Sequence, residues 1–135
     1  MRRLALAAAL ALAAIALSAV AYAAAAGRAP AAPDRRQVAA PIDKVDVLIR
    51  ESNPPQVTAK IAVGLPSGCA KQDTYSVSRS GDTITISVLN TMPTGDPICT
   101  MIYGTYELNV ELGSAFTVGT TYTLRVNDKT TTFKT

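Results

Sequence analysis

From residue 41 to Thr135 the chain alternates apolar and polar residues with a period of two, in short runs broken by Gly, Pro, Asn, Asp and Ser. That period marks strands with one buried face. Seven such strands are predicted. The first spans Ile42 to Arg50, with Val45, Val47 and Ile49 on one face, and ends where Pro54 and Pro55 cannot donate to a ladder. The second, Gln56 to Gly64, sets Val57, Ala59, Ile61 and Val63 against Thr58, Lys60 and Ala62, and Leu65-Pro66-Ser67-Gly68-Cys69 breaks it. The third, Asp73 to Arg79, turns Tyr75 and Val77 inward. Ser80-Gly81-Asp82 is a tight hairpin signal leading to the fourth, Thr83 to Asn90, which buries Ile84, Ile86 and Val88. A long loop, Thr91 to Cys99, precedes a fifth strand with Ile102, Gly104, Tyr106, Leu108, Val110 and Leu112 in one phase. The sixth carries Tyr122, Leu124 and Val126, and Asn127-Asp128 turns it into a seventh around Phe133.

No segment holds a helical period over a useful length. The pattern therefore predicts an all-β fold, a seven-stranded antiparallel Greek-key sandwich of immunoglobulin-like type, with a small β-barrel as the alternative. If successive strands run in opposite directions, the loops after the second, fourth and sixth strands share one end. These loops hold Cys69, Cys99 and Asn127-Asp128, so both cysteines land at the same end, as a disulfide needs. The turn between the fifth and sixth strands falls at the opposite end. There Gly119 suits a corner that needs positive φ, and Tyr122, three residues on, can bury its ring and return its hydroxyl to nearby backbone.

The run Phe116-x-x-Gly119-Thr120-x-Tyr122-x-Leu124-x-Val126 resembles the corner of fibronectin type III and related bacterial immunoglobulin-like modules. Those modules usually carry Leu, then Pro-Gly-Thr, then Tyr; here Phe116 stands for the Leu and Val118 for the Pro. The resemblance covers this corner alone and implies a secreted β-sandwich in which Phe116, Gly119 and Tyr122 are structural. Pro93-Thr94-Gly95 resembles part of the first loop motif of chagasin-type protease inhibitors. It lies in a different loop, and the Arg-Pro-Trp/Phe motif of their last loop is missing, which disfavours that reading.

The residues before the strands follow other rules. Met1-Arg2-Arg3, the apolar run Leu4 to Val20 and Ala21-Tyr22-Ala23 read as a signal peptide over 1–23, with an uncleaved membrane anchor as the alternative. The Ala/Pro/Arg-rich stretch 24–40 is expected to be a disordered linker, leaving a single domain over 41–135. The chain as a whole carries +3, yet from Pro41 onward eight Lys/Arg face nine Asp/Glu, a net of −1. The basic excess belongs to the leader and linker, and the domain has no footprint for nucleic acid.

Export makes the two cysteines, Cys69 and Cys99, one structural disulfide. Closing a loop of about 30 residues stabilises by roughly 3–4 kcal/mol in the chain-entropy model. The sequence has no His, which removes the usual general base, Ser–His and Cys–His pairs and the commonest metal ligand. With the cysteines joined, no metal or cofactor site is expected. Glu107 and Glu111 share a strand face, but roughly 13 Å of strand separates them, too far for a paired-carboxylate centre. An enzyme is not expected.

A binding module remains. The connections around Cys69 and Cys99 are longer than the two to five residues, roughly, that a hairpin needs, and a staple between them favours preorganised recognition. Candidate partner-binding positions are Pro66, Ser67 and Lys71 by the first loop, and Met92, Pro93, Thr94 and Asp96 by the second. Met101 and Tyr103 join them on the outward phase of the fifth strand, near Leu89 on the fourth. The expected partner is an extracytoplasmic protein or envelope component; the alternative is an envelope spacer. Contact with a membrane is expected only through an uncleaved leader.

Overall fold

The computed structural model describes residues 34–135, all of whose regular elements are strands. The signal peptide expected over 1–23 and the linker up to residue 33 lie outside the described residues. Eight strands follow: β1 (Arg35–Ala39), β2 (Ile42–Arg50), β3 (Gln56–Leu65), β4 (Lys71–Ser80), β5 (Thr83–Pro93), β6 (Gly104–Gly113), β7 (Thr121–Val126) and β8 (Lys129–Lys134).

They form two separate sheets, a sandwich and not a closed barrel. The smaller runs β2-β3-β6, antiparallel throughout. In the larger, β5 is central: β4 lies along one edge, while β7 and β1 share the other, with β8 outside β7. Chain periodicity is silent on strand direction, and β5–β7 is parallel, from Thr83↔Thr123 to Ile86↔Val126, where antiparallel pairing was expected. The link between these strands crosses to the other sheet as β6, and that crossing makes the parallel pairing possible.

Seven predicted strands recur and one was missed. β1 falls in the stretch read as disordered linker, so the folded domain begins before residue 41. Arg35-Arg36-Gln37-Val38-Ala39 has no apolar alternation; it is held through backbone pairing to Leu89–Pro93. The chain then changes sheets within two residues. Ala40 N donates to Val88 O of the larger sheet (3.0 Å), and Pro41 O accepts from Gly64 N of the smaller (2.8 Å). A strand that switches sheets makes a corner of a sandwich.

The core fills from the alternations the sequence displays. Val57, Ala59, Ile61 and Val63 of β3 meet Ile84, Ile86 and Val88 of β5 and Leu124 and Val126 of β7, all fully or almost fully buried. Burial of each large side chain contributes about 1.5–3 kcal/mol relative to exposure. At the corner end, Phe116, Tyr122 and Phe133 pack as three rings, Phe116 edge-on to Tyr122 with centroids 5.0 Å apart. The Tyr122 hydroxyl accepts a hydrogen bond from Thr117 N (2.9 Å), which holds its phenol below the usual tyrosine range. Gly119 takes φ +82° in the turn between them. Arg79 of β4 covers the rings, its guanidinium 4.8 Å from the Phe116 centroid, and donates to Ala115 O (2.6 Å). The corner forms as its residues predict.

One polar pair inside the sandwich ties the sheets together. Asn90 of β5, fully buried, donates to Gly64 O of β3 (2.8 Å) and accepts from the Tyr106 hydroxyl of β6 (2.9 Å). Burial, and then the charge of Asp73, push the Tyr106 phenol up. Within the larger sheet, Asn127, at φ 50°, bridges the seam where the C-terminal ends of β7 and β1 meet along β5. Its amide receives Val88 N (2.9 Å) and donates to Val88 O (2.9 Å) and Ala40 O (2.7 Å). The side chain thereby takes the place of a strand residue that neither β1 nor β7 supplies.

Burial at three of the inward positions needs correction. Tyr75 and Val77 of β4 share the inner face with Val88 and Ile86 but are exposed, because the narrower opposing sheet does not reach them. Ile102 is exposed as well, since β6 starts only at Gly104 and the residues before it leave the sheet.

Candidate functional site

The end of the sandwich that carries the cysteines is built from the β3–β4 and β5–β6 connections. Cys69 and Cys99 form a disulfide with Cα atoms 5.4 Å apart, as their placement at one end requires. Beside it Gly68 N donates to Thr100 O (2.9 Å), so the loops are joined by backbone as well as covalently. A Cβ at residue 68 would run into Thr100 Oγ1, so a larger residue there requires the Thr100 side chain to move.

β1 pins the same structure from the other side. Arg35 Nη2 donates to Cys69 O and Thr91 O (2.8 Å each), and Nε donates to Thr91 Oγ1 (2.9 Å). A guanidinium can hold three acceptors on two segments because its donors form a rigid fork. Thr94 donates to Asp34 O from N (2.8 Å) and from Oγ1 (3.0 Å), fixing the root of the long loop. At the far end of that loop the Tyr103 hydroxyl donates to Asp43 Oδ1 (2.7 Å), and this bond raises the phenol above its ordinary range.

Between these ties the loop turns apolar side chains into solvent. Ile98 is fully exposed, Met101 is 89% exposed and Ile102 72%, and half of Tyr103 is accessible beside them. Scattered single apolar residues are ordinary on a surface, but four within six positions of one tethered loop form a patch. The chemistry on offer is apolar contact with a polar surround. No group of three or more His, Cys, Asp or Glu among the described residues is placed to hold a metal.

The positions named from the sequence divide into projecting and supporting groups. Pro66, Lys71 and Asp96 are exposed, as are Met101 and Tyr103, which precede β6 and do not lie on it. Thr94 is exposed yet committed to Asp34, and Met92 and Pro93 are half-buried at the end of β5, opposite Arg36 and Arg35. Ser67 is buried, and its Oγ has no hydrogen-bond partner among the described residues. Leu89 is half-buried. Ile98 and Ile102 are the additions: Ile102 lies in the apolar triplet Met101-Ile102-Tyr103, which breaks the alternation before β6, and Ile98 carries no periodic signal.

A family model described as the ORF11 beta-sandwich domain matches residues 59–135, from β3 through β8. No curated protein and no solved structure matches the chain.

Proposed function

The chain belongs to the family of ORF11 β-sandwich domains, and on that premise we propose that it is a non-enzymatic extracytoplasmic module. It binds a macromolecular partner, a protein or another envelope component, through the loop at its disulfide-stapled end. The observation that carries this reading is the exposure of Ile98, Met101 and Ile102 on a loop tied down at both roots. A tethered loop loses little conformational entropy on engagement, and three exposed large side chains supply the apolar area that binding needs. The disulfide fits an oxidising compartment. The chain's lack of histidine supports a binding role over catalysis.

The test is the triple variant Ile98→Ser, Met101→Ser, Ile102→Ser, used as bait beside wild type in the extracytoplasmic fraction, with thermal melts of both. The reading requires that a partner retained by wild type is lost by the variant while the melting temperature holds. Retention of the partner by the variant would make this end a structural spacer element.

A further inference from the structure

The two sheets differ in width, and the excess lies on one flank. β8 approaches β2 on the closed side. Asn90 of β5 bonds to both β3 and Tyr106 of β6, so β5 faces the β3–β6 pair. β4, one strand further out, has no strand opposite it among the described residues. The register sets Tyr75 opposite Val88 and Val77 opposite Ile86, and directly opposed residues of an antiparallel pair share a face. Tyr75 and Val77 therefore point to the inner side, yet they are 43% and 45% exposed where Val88 and Ile86 are buried. The strand bordering the uncovered inner face is β6, which is paired on one edge only, by β3. Arg79 bridges to the β6–β7 loop at the corner end of this flank, leaving the middle of β4 uncovered. The mismatch is one strand wide, about 4.8 Å in the pairing direction.

We propose that this flank accepts an extended segment of a partner protein as a fourth strand of the smaller sheet, paired to the open edge of β6. The segment's apolar side chains cover Tyr75 and Val77, and its alternate side chains are Lys or Arg. The second condition comes from the outer face of β6, which carries Thr105, Glu107, Asn109 and Glu111. Lys60 of β3 already meets Glu107 from one side (3.0 Å), and Asn109 donates to the same carboxylate (3.3 Å). A basic residue on a strand beyond β6 would bracket Glu107 from the other side, and a second, four positions away, would meet Glu111. The same charges disfavour a second copy of this chain as the occupant. Antiparallel β6–β6 pairing centred on Asn109 sets Glu107 of each copy opposite Glu111 of the other, and like charges directly opposite are destabilising. Strand addition itself draws affinity from main-chain hydrogen bonds and specificity from alternate side chains.

Two nine-residue peptides serve as probes, one alternating Val with Lys and one alternating Val with Glu, each titrated into the isotope-labelled protein. The Val/Lys peptide is expected to bind at least ten-fold more tightly at low ionic strength, to lose that advantage in high salt, and to slow hydrogen exchange at alternate amides of β6. Glu107→Lys with Glu111→Lys should reverse the preference, with unchanged exchange at the β3 amides reporting an intact fold. The triple serine variant of the stapled loop should bind the Val/Lys peptide as wild type does, which separates this site from the loop reading. Equal binding of the two peptides, protection confined to residues 98–103, or no binding by either would overturn the proposal. The last result would assign the β6 glutamates to blocking the edge.

Discussion

At the corner end of the sandwich, Phe116, Tyr122 and Phe133 are buried against one another under the Arg79 guanidinium. At the stapled end Ile98, Met101 and Ile102, side chains of comparable apolar content, stand in solvent while a disulfide, an arginine fork and a few backbone bonds hold the loops. The first end spends its apolar residues on cohesion. The second achieves order by covalent and polar ties and leaves its apolar residues free. A domain of this size has few large apolar side chains to spare, so their release into solvent at one end points to a use other than stability.

The contrast has consequences that can be ranked. Phe116→Ala removes a ring from the cluster at the corner and should cost about 3–5 kcal/mol in urea unfolding, much of the stability of a small domain. Replacing both Cys69 and Cys99 with Ser should cost about 2–4 kcal/mol and speed hydrogen exchange at Gly68, while exchange in β7 follows global stability only. A larger loss from the cysteines than from Phe116 would invert the comparison. Asn127→Ala strands Val88 N and Ala40 O and puts Ala, which tolerates the left-handed region less well than Asn, at positive φ, for a loss of about 1–3 kcal/mol. Selective exposure of the Val88 amide in exchange experiments would check it. The triple serine variant of Ile98, Met101 and Ile102 should change stability by no more than about 0.5 kcal/mol. A loss well above that would mean the loop packs on the domain and the two ends are alike.

Much of this was legible in the chain. The alternation of Val57, Ala59, Ile61 and Val63 specifies a face, and the structure buries all four. Gly119 and Tyr122 specify a corner by backbone freedom and ring size, both local properties, and the cysteines needed only the parity of strand direction. What stayed hidden depends on partners. Periodicity shows that Tyr75 and Val77 share a face, but whether another sheet reaches that face depends on how many strands it has. β1 is polar and joins by backbone pairing, leaving no apolar signal in Arg35–Ala39. Asn127 reads as a turn residue in the sequence, and its hold on Val88 and Ala40 exists only once β1 and β7 lie end to end on β5. For the candidate site, the sequence located the end and the staple but chose residues such as Pro93 and Thr94, which support the loop, ahead of Ile98 and Ile102, which project from it.

The central claim is that the stapled end is the recognition surface, and site-specific photo-crosslinking in the producing cell tests it most directly. A photoreactive residue is placed in turn at Ile98, Ile102, Thr85 and Arg125, the last two being exposed positions on the larger sheet. The account predicts a discrete crosslinked adduct of the same mass from positions 98 and 102, and none from 85 or 125. Adducts of equal yield from all four positions, or from the sheet positions alone, would contradict it.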